Sequence, residues 1–266
     1  MAAEAGKYRA PALEKGLDIL EALSTHVDGL SQAEIAKTLD RSQSEIYRML
    51  DTLVRRGYVV RGFDGERYSL SLRMFAMSQR HPPISRLLNA AAPRMRELTR
   101  KAWQSCHMGM ESNGDIVVVA SAESPGNWGL SLRVGTVIGL SNTGTGRVLA
   151  AFRSEEALER LLETHRLAVG EPEMDRIAFM DEIAKIREIG FAKMPSATAV
   201  GVTNLAYPVF GADGVAAAVL NCPFLERIDD LDVPSLEDVH EMYLGLSTTL
   251  SKYYSGHDPM TDAQEE

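Results

Sequence analysis

The chain has 266 residues, 45% hydrophobic and 24% charged, with a formal net charge of −9 at pH 7. That balance suits one large or two modest globular domains and excludes a uniformly basic nucleic-acid coat. No apolar run approaches the ~18–20 residues of a membrane span, and the opening MAAEAGKYRAPALEKG has no apolar signal-peptide core. Two cysteines, Cys106 and Cys222, are too few for a disulfide framework or a thiolate metal site. A soluble, cytoplasmic protein with no cofactor and no metal centre is expected.

The charge is uneven. Residues 1–80 carry 12 Lys and Arg against 11 acids, whereas the rest of the chain holds 16 against 26. Within 41–80 there are eight arginines and four acids. A local basic patch on an acidic chain points to one segment that meets a polyanion, or to a solvated helix face rich in Arg.

Residues 12–24 place Leu13, Leu17, Leu20 and Leu23 at helical spacing, and Asp28-Gly29 breaks that helix. SQAE (31–34) is a capping box, in which Ser31 accepts from an orphan amide and Glu34 reaches back. It opens a short helix that buries Ile35, Ala36 and Leu39. After a turn at Asp40-Arg41, SQSE (42–45) is a second capping box. Its helix buries Ile46, Met49, Leu50, Leu53 and Val54, and Gly57 ends it. YVVR (58–61), a turn at Phe63-Asp64-Gly65 and ERYSL (66–70) predict a hairpin.

Three helices and a two-stranded wing over residues 1–70 describe a winged helix-turn-helix. In such a module the second helix of the pair enters the major groove of double-stranded DNA. There Gln and Arg reach base edges, while hydroxyls and helix N-terminal amides meet phosphates. The candidate contacts are Arg41, Ser42, Gln43, Ser44, Tyr47 and Arg48 around that helix start, with Arg61 and Arg67 on the wing. Some winged helices serve protein contacts instead.

Residues 71–103 read as linker or dimerisation helices. Leu72, Phe75 and Ala76 continue an apolar stripe, His81-Pro82-Pro83 interrupts it, and Ile84, Leu87, Leu88, Ala91, Met95 and Leu98 form another. Pro93 predicts a kink or restart within that second stripe. Residues 104–256 alternate short strands and helices. Strands are expected at 104–111, 115–123, 128–135, 191–194, 203–210 and 215–221. Helices are expected from Thr143, near 154–163, over 176–189 and from Pro234 to about Tyr254. An antiparallel sheet with helices on one face is an α+β sensor-like architecture. Residues 257–266 read as a mobile acidic tail.

ALEKGLDIL (12–20), YRMLDTLVRRGYV (47–59), GTVIGLSNTGTGRVLAAF (135–152) and VGVTNLAYPVFGADGVAAAVLNCP (200–223) stand in the order found in the IclR family of bacterial transcriptional regulators. Over residues 10–250 the chain resembles that family. The resemblance implies an N-terminal winged helix, a linker helix and a GAF-like effector domain. It also implies a homodimer or dimer of dimers whose operator binding is modulated by a small organic acid or aromatic. The family's pocket positions fall on Thr143, Gly144, Met194, Asn204, Val219 and Asn221. Met194 stands where an acid is common in the family, and Asn204 where Cys is common. These departures favour a carboxylate on a partly apolar body over a bare two- or three-carbon acid.

The residues themselves support part of that site. Strand alternation puts Val215, Ala217, Val219 and Asn221 on one face, and orphan amides at Thr143-Gly144 suit a carboxylate. His107 faces a ligand or is a satisfied strand residue; Trp128 is a lid aromatic or a loop anchor. Catalytic motifs fail. TGTG (143–146) lacks the following Gly-Lys, no Gly-x-Ser-x-Gly elbow occurs, and His240-Glu241 lacks a second His four residues on. Cys106 and His107, as strand neighbours, point to opposite faces. The alternative is a metabolite-binding or catalytic α+β domain with an appended nucleic-acid-binding module. A structural winged-helix protein is a third reading.

Overall fold

The computed structural model describes residues 10–63 and 65–256. The expected acidic tail, the opening stretch before Ala10 and Asp64 of the expected wing turn lie outside them. Contacts divide the chain into two compact units, Met1–Ser85 and Arg86–Glu266.

In the first unit, α1 (Pro11–Ser24) starts with Pro in its first turn. Its expected stripe is shifted: Leu13 and Leu17 are exposed, whereas Ile19, Leu20 and Leu23 are buried. The cause is that only the second half of α1 lies in the core formed with Ile35, Ile46, Leu50 and Val59. Strand β1 (Leu30–Ser31) leads into α2 (Gln32–Thr38), and α3 (Gln43–Arg55) comes next. Both capping boxes form as the sequence indicates.

The wing strands are β2 (Val59–Arg61) and β3 (Arg67–Leu70), in register Val59↔Leu70 and Arg61↔Tyr68. The sequence suggests two strands, but β1 adds a third in the order β1-β3-β2. Gly29 makes that pairing possible. At φ +66°, an added Cβ would lie 2.3 Å from the Tyr68 carbonyl oxygen. Helix α4 (Arg73–Arg80) closes the unit, with Arg73 stacked 5.1 Å over the Tyr58 ring.

Helix α5 (Pro82–Ala102) runs through Pro93 without a restart. Pro93 is exposed, and on both sides of it one stripe (Leu87, Ala91, Met95, Leu98, Ala102) is buried in a single core. The stripe expected on a connector is therefore covered within the second unit itself. The sheet of that unit comprises β4 (Cys106–Ser112), β5 (Asp115–Ala122), β6 (Val137–Ile138), β7 (Ala192–Pro195), β8 (Val202–Phe210) and β9 (Ala216–Leu225). Its order is β6-β5-β4-β9-β8-β7, and every neighbouring pair is antiparallel. The helices are α6 (Gly144–Ala151), α7 (Glu155–Thr164), α8 (Arg176–Ile189) and α9 (Leu236–Ser255).

Helices cover both faces, not one. On the first, α5 and α9 pack over Met108, Leu205, Tyr207 and Leu220; on the second, α6, α7 and α8 pack over Ile116, Val118, Ala206 and Val219. The cause is legible in β8 and β9, whose near-continuous apolar runs leave no polar face to turn to water.

Two further expectations are corrected. Residues 128–135 form no strand. Gly135 and Thr136 take the backbone bonds of Val118 on the β5 edge, leaving Trp128, Leu130 and Val134 exposed. Opposite Val209 and Phe210 of β8, which pair with Ala218 and Ala216, β9 skips Ala217. This bulge ends the expected alternation, and Ala216 joins Val219 in the helix-covered core.

Candidate functional site

In the first unit, the α3 start is fixed before any partner arrives. The Ser42 hydroxyl accepts from the Glu45 amide, and the Glu45 carboxylate accepts from the Ser42 amide at 3.1 Å. Lys15 Nζ donates to the same carboxylate at 2.8 Å; that bond, then those from Ser42, holds the Glu45 pKa down at about 2. Gln32 Nε2 donates to the Gln43 carbonyl at 3.1 Å and ties α2 to α3. With its frame held from behind, α3 exposes Gln43, Ser44, Tyr47 and Arg48. Ser44 Oγ lies 3.1 Å from Ser42 Oγ. Among the described residues, the side chains of Gln43, Tyr47 and Arg48 have no hydrogen-bond or ion-pair partner.

The neighbouring arginines differ. Arg41 Nη2 donates to Asp18 at 3.0 Å. Arg67 donates from Nε to the Asp28 carbonyl at 3.1 Å and from Nη2 to the Gly29 carbonyl at 3.0 Å, with Glu34 at 3.3 Å. Arg61 donates to the Gly65 carbonyl and lies 5.6 Å over the Tyr68 ring. These three brace the wing and helices, whereas Arg48 is exposed and has no such tie.

In the second unit, a cavity of about 130 Å³ opens at the α6 start. Its polar lining includes His107 on β4, Asn204 on β8, Asn221 on β9, and Asn142 to Thr145 at the helix entrance. Leu130, Leu132, Ile138 and Val202 supply apolar walls. His107 and Asn221 are cross-strand partners. Asn221 Nδ2 donates to Asn204 Oδ1 at 3.3 Å, and His107 Nε2 lies 3.3 Å from Thr145 Oγ1. The other ends of both groups, His107 Nδ1 and Asn221 Oδ1, are buried without a partner. Burial pushes the His107 pKa down to about 4, so the ring is neutral at pH 7.

Thr143 caps α6, accepting from the Gly146 amide at 3.0 Å and donating to the Gly139 carbonyl at 2.6 Å. The amides of Gly144 and Thr145 have no intrahelical acceptor. Glycine lets the helix start sit this low on the sheet: a Cβ on Gly144 would lie 3.2 Å from Asn221 Oδ1 and 3.3 Å from Asn204 Cβ. Among the described residues, no Asp, Glu, Lys or Arg lines the cavity.

A family model described as bacterial transcriptional regulator IclR C-terminal matches residues 84–237, and one for the IclR helix-turn-helix domain matches residues 12–62. The chain belongs to the IclR family. Similar curated proteins from Escherichia coli K12 include the transcriptional regulator KdgR, 28% identical over 79% of this chain and 80% of its own. XynR is 26% identical over 90% and 96%. The crystal structure of an IclR-type regulator from Alicyclobacillus acidocaldarius shares the fold, with a TM-score of 0.72 at 21% identity over 93% and 100%.

This IclR-family chain is a DNA-binding transcriptional regulator with an effector-type C-terminal domain. Of the effector positions read from its sequence, the cavity brings together His107, Thr143, Gly144, Asn204 and Asn221. Met194 instead packs against the α6–α8 core, with its sulfur 3.6 Å from Arg147 Nη1, and Val219 lies fully buried in that core. Trp128 is 71% exposed and outside the lining. Asn142, Thr145, Ser196, Thr198 and Ala199 also line the cavity, and sequence reasoning missed them. Two of them flank Thr143-Gly144 directly, which was the available signal. The other three sit in the loop after β7, where the sequence carries no periodicity.

Cys106 and Cys222 lie on the opposite sheet face from His107, in the α5–α9 core. Burial pushes the Cys106 thiol up to about 12 and the Cys222 thiol higher still. Among the described residues, no helix is long and apolar enough to cross a membrane, and no His, Cys, Asp and Glu cluster is placed to hold a metal ion.

Proposed function

We propose that the C-terminal unit binds a small organic acid with a compact, partly apolar body, and that this binding changes the affinity of the protein for its operator. The observation that carries this reading is the buried, unpartnered His107 Nδ1 on the cavity wall, which donates to a carboxylate when Nε2 accepts from the Thr145 hydroxyl. Leaving a buried polar atom unpaired costs about 1–3 kcal/mol, which a ligand with matching groups recovers. The Gly144 and Thr145 amides favour an anion at the helix start. A volume of about 130 Å³ resembles the ~150 Å³ cavity that admits benzene. One ring or a short branched chain fits; an oligosaccharide does not.

Sensing suits these groups better than catalysis. His107 is near Thr145, yet nothing orients its Nδ1, and a pKa of about 4 makes it a weak base at neutral pH. For DNA, we assign base reading to Gln43, Ser44, Tyr47 and Arg48, with Ser42 as the cap and Arg41, Arg61 and Arg67 as braces. Leu72, Met74, Phe75 and Met77 are exposed around α4. They support assembly as a homodimer or dimer of dimers on a palindromic site in the cytoplasm.

The test is a thermal-shift panel of acetate, lactate, butyrate, benzoate and gluconate on wild type and Asn204→Leu. A native-state ligand raises the melting temperature. Benzoate or butyrate is expected to do so in wild type and to do so less in the variant. No shift with any acid, or equal shifts in both proteins, overturns the assignment.

A further inference from the structure

Beside the cavity lies a buried ionic cluster outside its lining. The Glu171 side chain is fully buried and that of His165 is 5% exposed. Glu171 Oε1 accepts from the Ser141 amide at 2.8 Å and from its hydroxyl at 2.9 Å. Glu171 Oε2 accepts from the Ala168 amide at 3.1 Å and lies 2.9 Å from His165 Nε2. The other ring nitrogen, Nδ1, lies 2.8 Å from the Gly114 carbonyl in the β4–β5 turn.

A carbonyl and a carboxylate only accept. Each ring nitrogen of His165 is therefore placed to donate. The carboxylate is ionised. Burial raises its pKa, but the bonds from the Ser141 and Ala168 amides, the Ser141 hydroxyl and His165 outweigh burial and hold it below the ordinary value. No nucleophile–base pair results, because the Ser141 hydroxyl is hydrogen-bonded to the carboxylate and both ring nitrogens are occupied.

The cluster reaches the cavity through three consecutive residues. Ser141 precedes Asn142 and Thr143, both in the lining. Its carbonyl accepts from Arg147 Nε at 2.6 Å, so Ser141 is gripped from both sides. Gly139, whose carbonyl accepts from Thr143, lies against the carboxylate: an added Cβ would be 2.8 Å from Glu171 Cδ.

We infer that Glu171 and His165 are positioning residues of the effector pocket, forming a clamp that holds the Ser141–Thr143 entrance to α6 in its ligand-binding geometry. This rests on the proposed effector reading of the cavity. Without the carboxylate, the Ser141 amide and hydroxyl lose their shared acceptor. Without the ring, Glu171 loses its tie to the Gly114 carbonyl. In either case the grip on Ser141 loosens and acid binding weakens.

The test uses the full chain. Exchange of the Ser141 amide, exchange of the Val118 amide as a control in the same unit, and benzoate affinity are measured at pH 7 in wild type, His165→Gln and Glu171→Gln. The clamp predicts faster Ser141 exchange, unchanged Val118 exchange and at least a threefold loss of benzoate affinity in both variants. Variants that track wild type overturn it, as does a loss of protection spread equally over Ser141 and Val118. If wild type binds no benzoate, the effector reading loses that probe and Ser141 exchange still decides the clamp. If one variant fails to fold, the other decides.

Discussion

Replacing Arg67 by Ala separates bracing from DNA contact on the wing. The change removes two bonds from one guanidinium, to the carbonyls of Asp28 at 3.1 Å and Gly29 at 3.0 Å. Hydrogen bonds contribute about 0.5–1.5 kcal/mol each, and a side chain 43% exposed belongs at the lower end. The exposed Glu34 pair adds little. The expected loss is about 1–1.5 kcal/mol, or roughly 4–12 °C in the melting temperature of a unit this size. Calorimetry of the full chain measures it. Fluorescence anisotropy on operator DNA at several salt concentrations measures the other half. A residue tied to its own carbonyls releases few counterions on binding, so the salt slope stays near wild type, whereas Arg48→Ala lowers affinity and flattens the slope by about 1. If Arg67→Ala leaves the melting temperature unchanged and flattens the slope, Arg67 contacts phosphate and the bracing argument fails.

Ser42→Ala removes the α3 cap and is expected to cost about 1 kcal/mol by denaturant unfolding. Gln43→Ala should cost ~1–3 kcal/mol of operator affinity and relax preference at one base per half-site, read by binding to a randomised site. Gly144→Ala should weaken benzoate binding and lower the melting temperature, because its Cβ meets Ala206, Asn221 and Asn204 at 3.2–3.3 Å and lifts the helix start off the sheet; calorimetric titration and calorimetry read the two effects. Glu171 has a lowered pKa in the folded protein, so its stabilising contribution is present above the unfolded value and lost as pH falls through the folded one. Glu171→Gln should therefore flatten the acid limb of the stability–pH curve.

The N-terminal unit is legible because its information is local. Each capping box spells out a helix start within four residues, and the stripe Ile46, Leu50, Leu53 fixes which face α3 hides. What stays hidden depends on partners distant in sequence. Nothing near Leu13 says that α1 is covered only beyond Asp18, and nothing near Arg67 says that the Asp28 and Gly29 carbonyls await it. In the second unit the Thr143 helix start is local and alternation places Asn221 on a strand face, whereas Asn204 as its pocket partner comes from the family resemblance. The bulge at Ala217 and the exposed course of 128–135 do not, since alternation cannot reveal a skipped residue or an edge already bonded by Gly135 and Thr136. Glu171 was equally invisible: a lone Glu in a loop gains its meaning only when Ser141, His165 and Ala168 converge on it.

The most direct test of the account is operator affinity with and without benzoate, on a DNA site selected from a random pool by the purified protein, in wild type and Asn204→Leu. A coupling of ~1–3 kcal/mol corresponds to a change of about 5–150-fold. The account predicts a change of that order in wild type, a much smaller one in the variant, and equal acid-free affinity in both. Benzoate that binds the protein yet leaves wild-type operator affinity unchanged would contradict it.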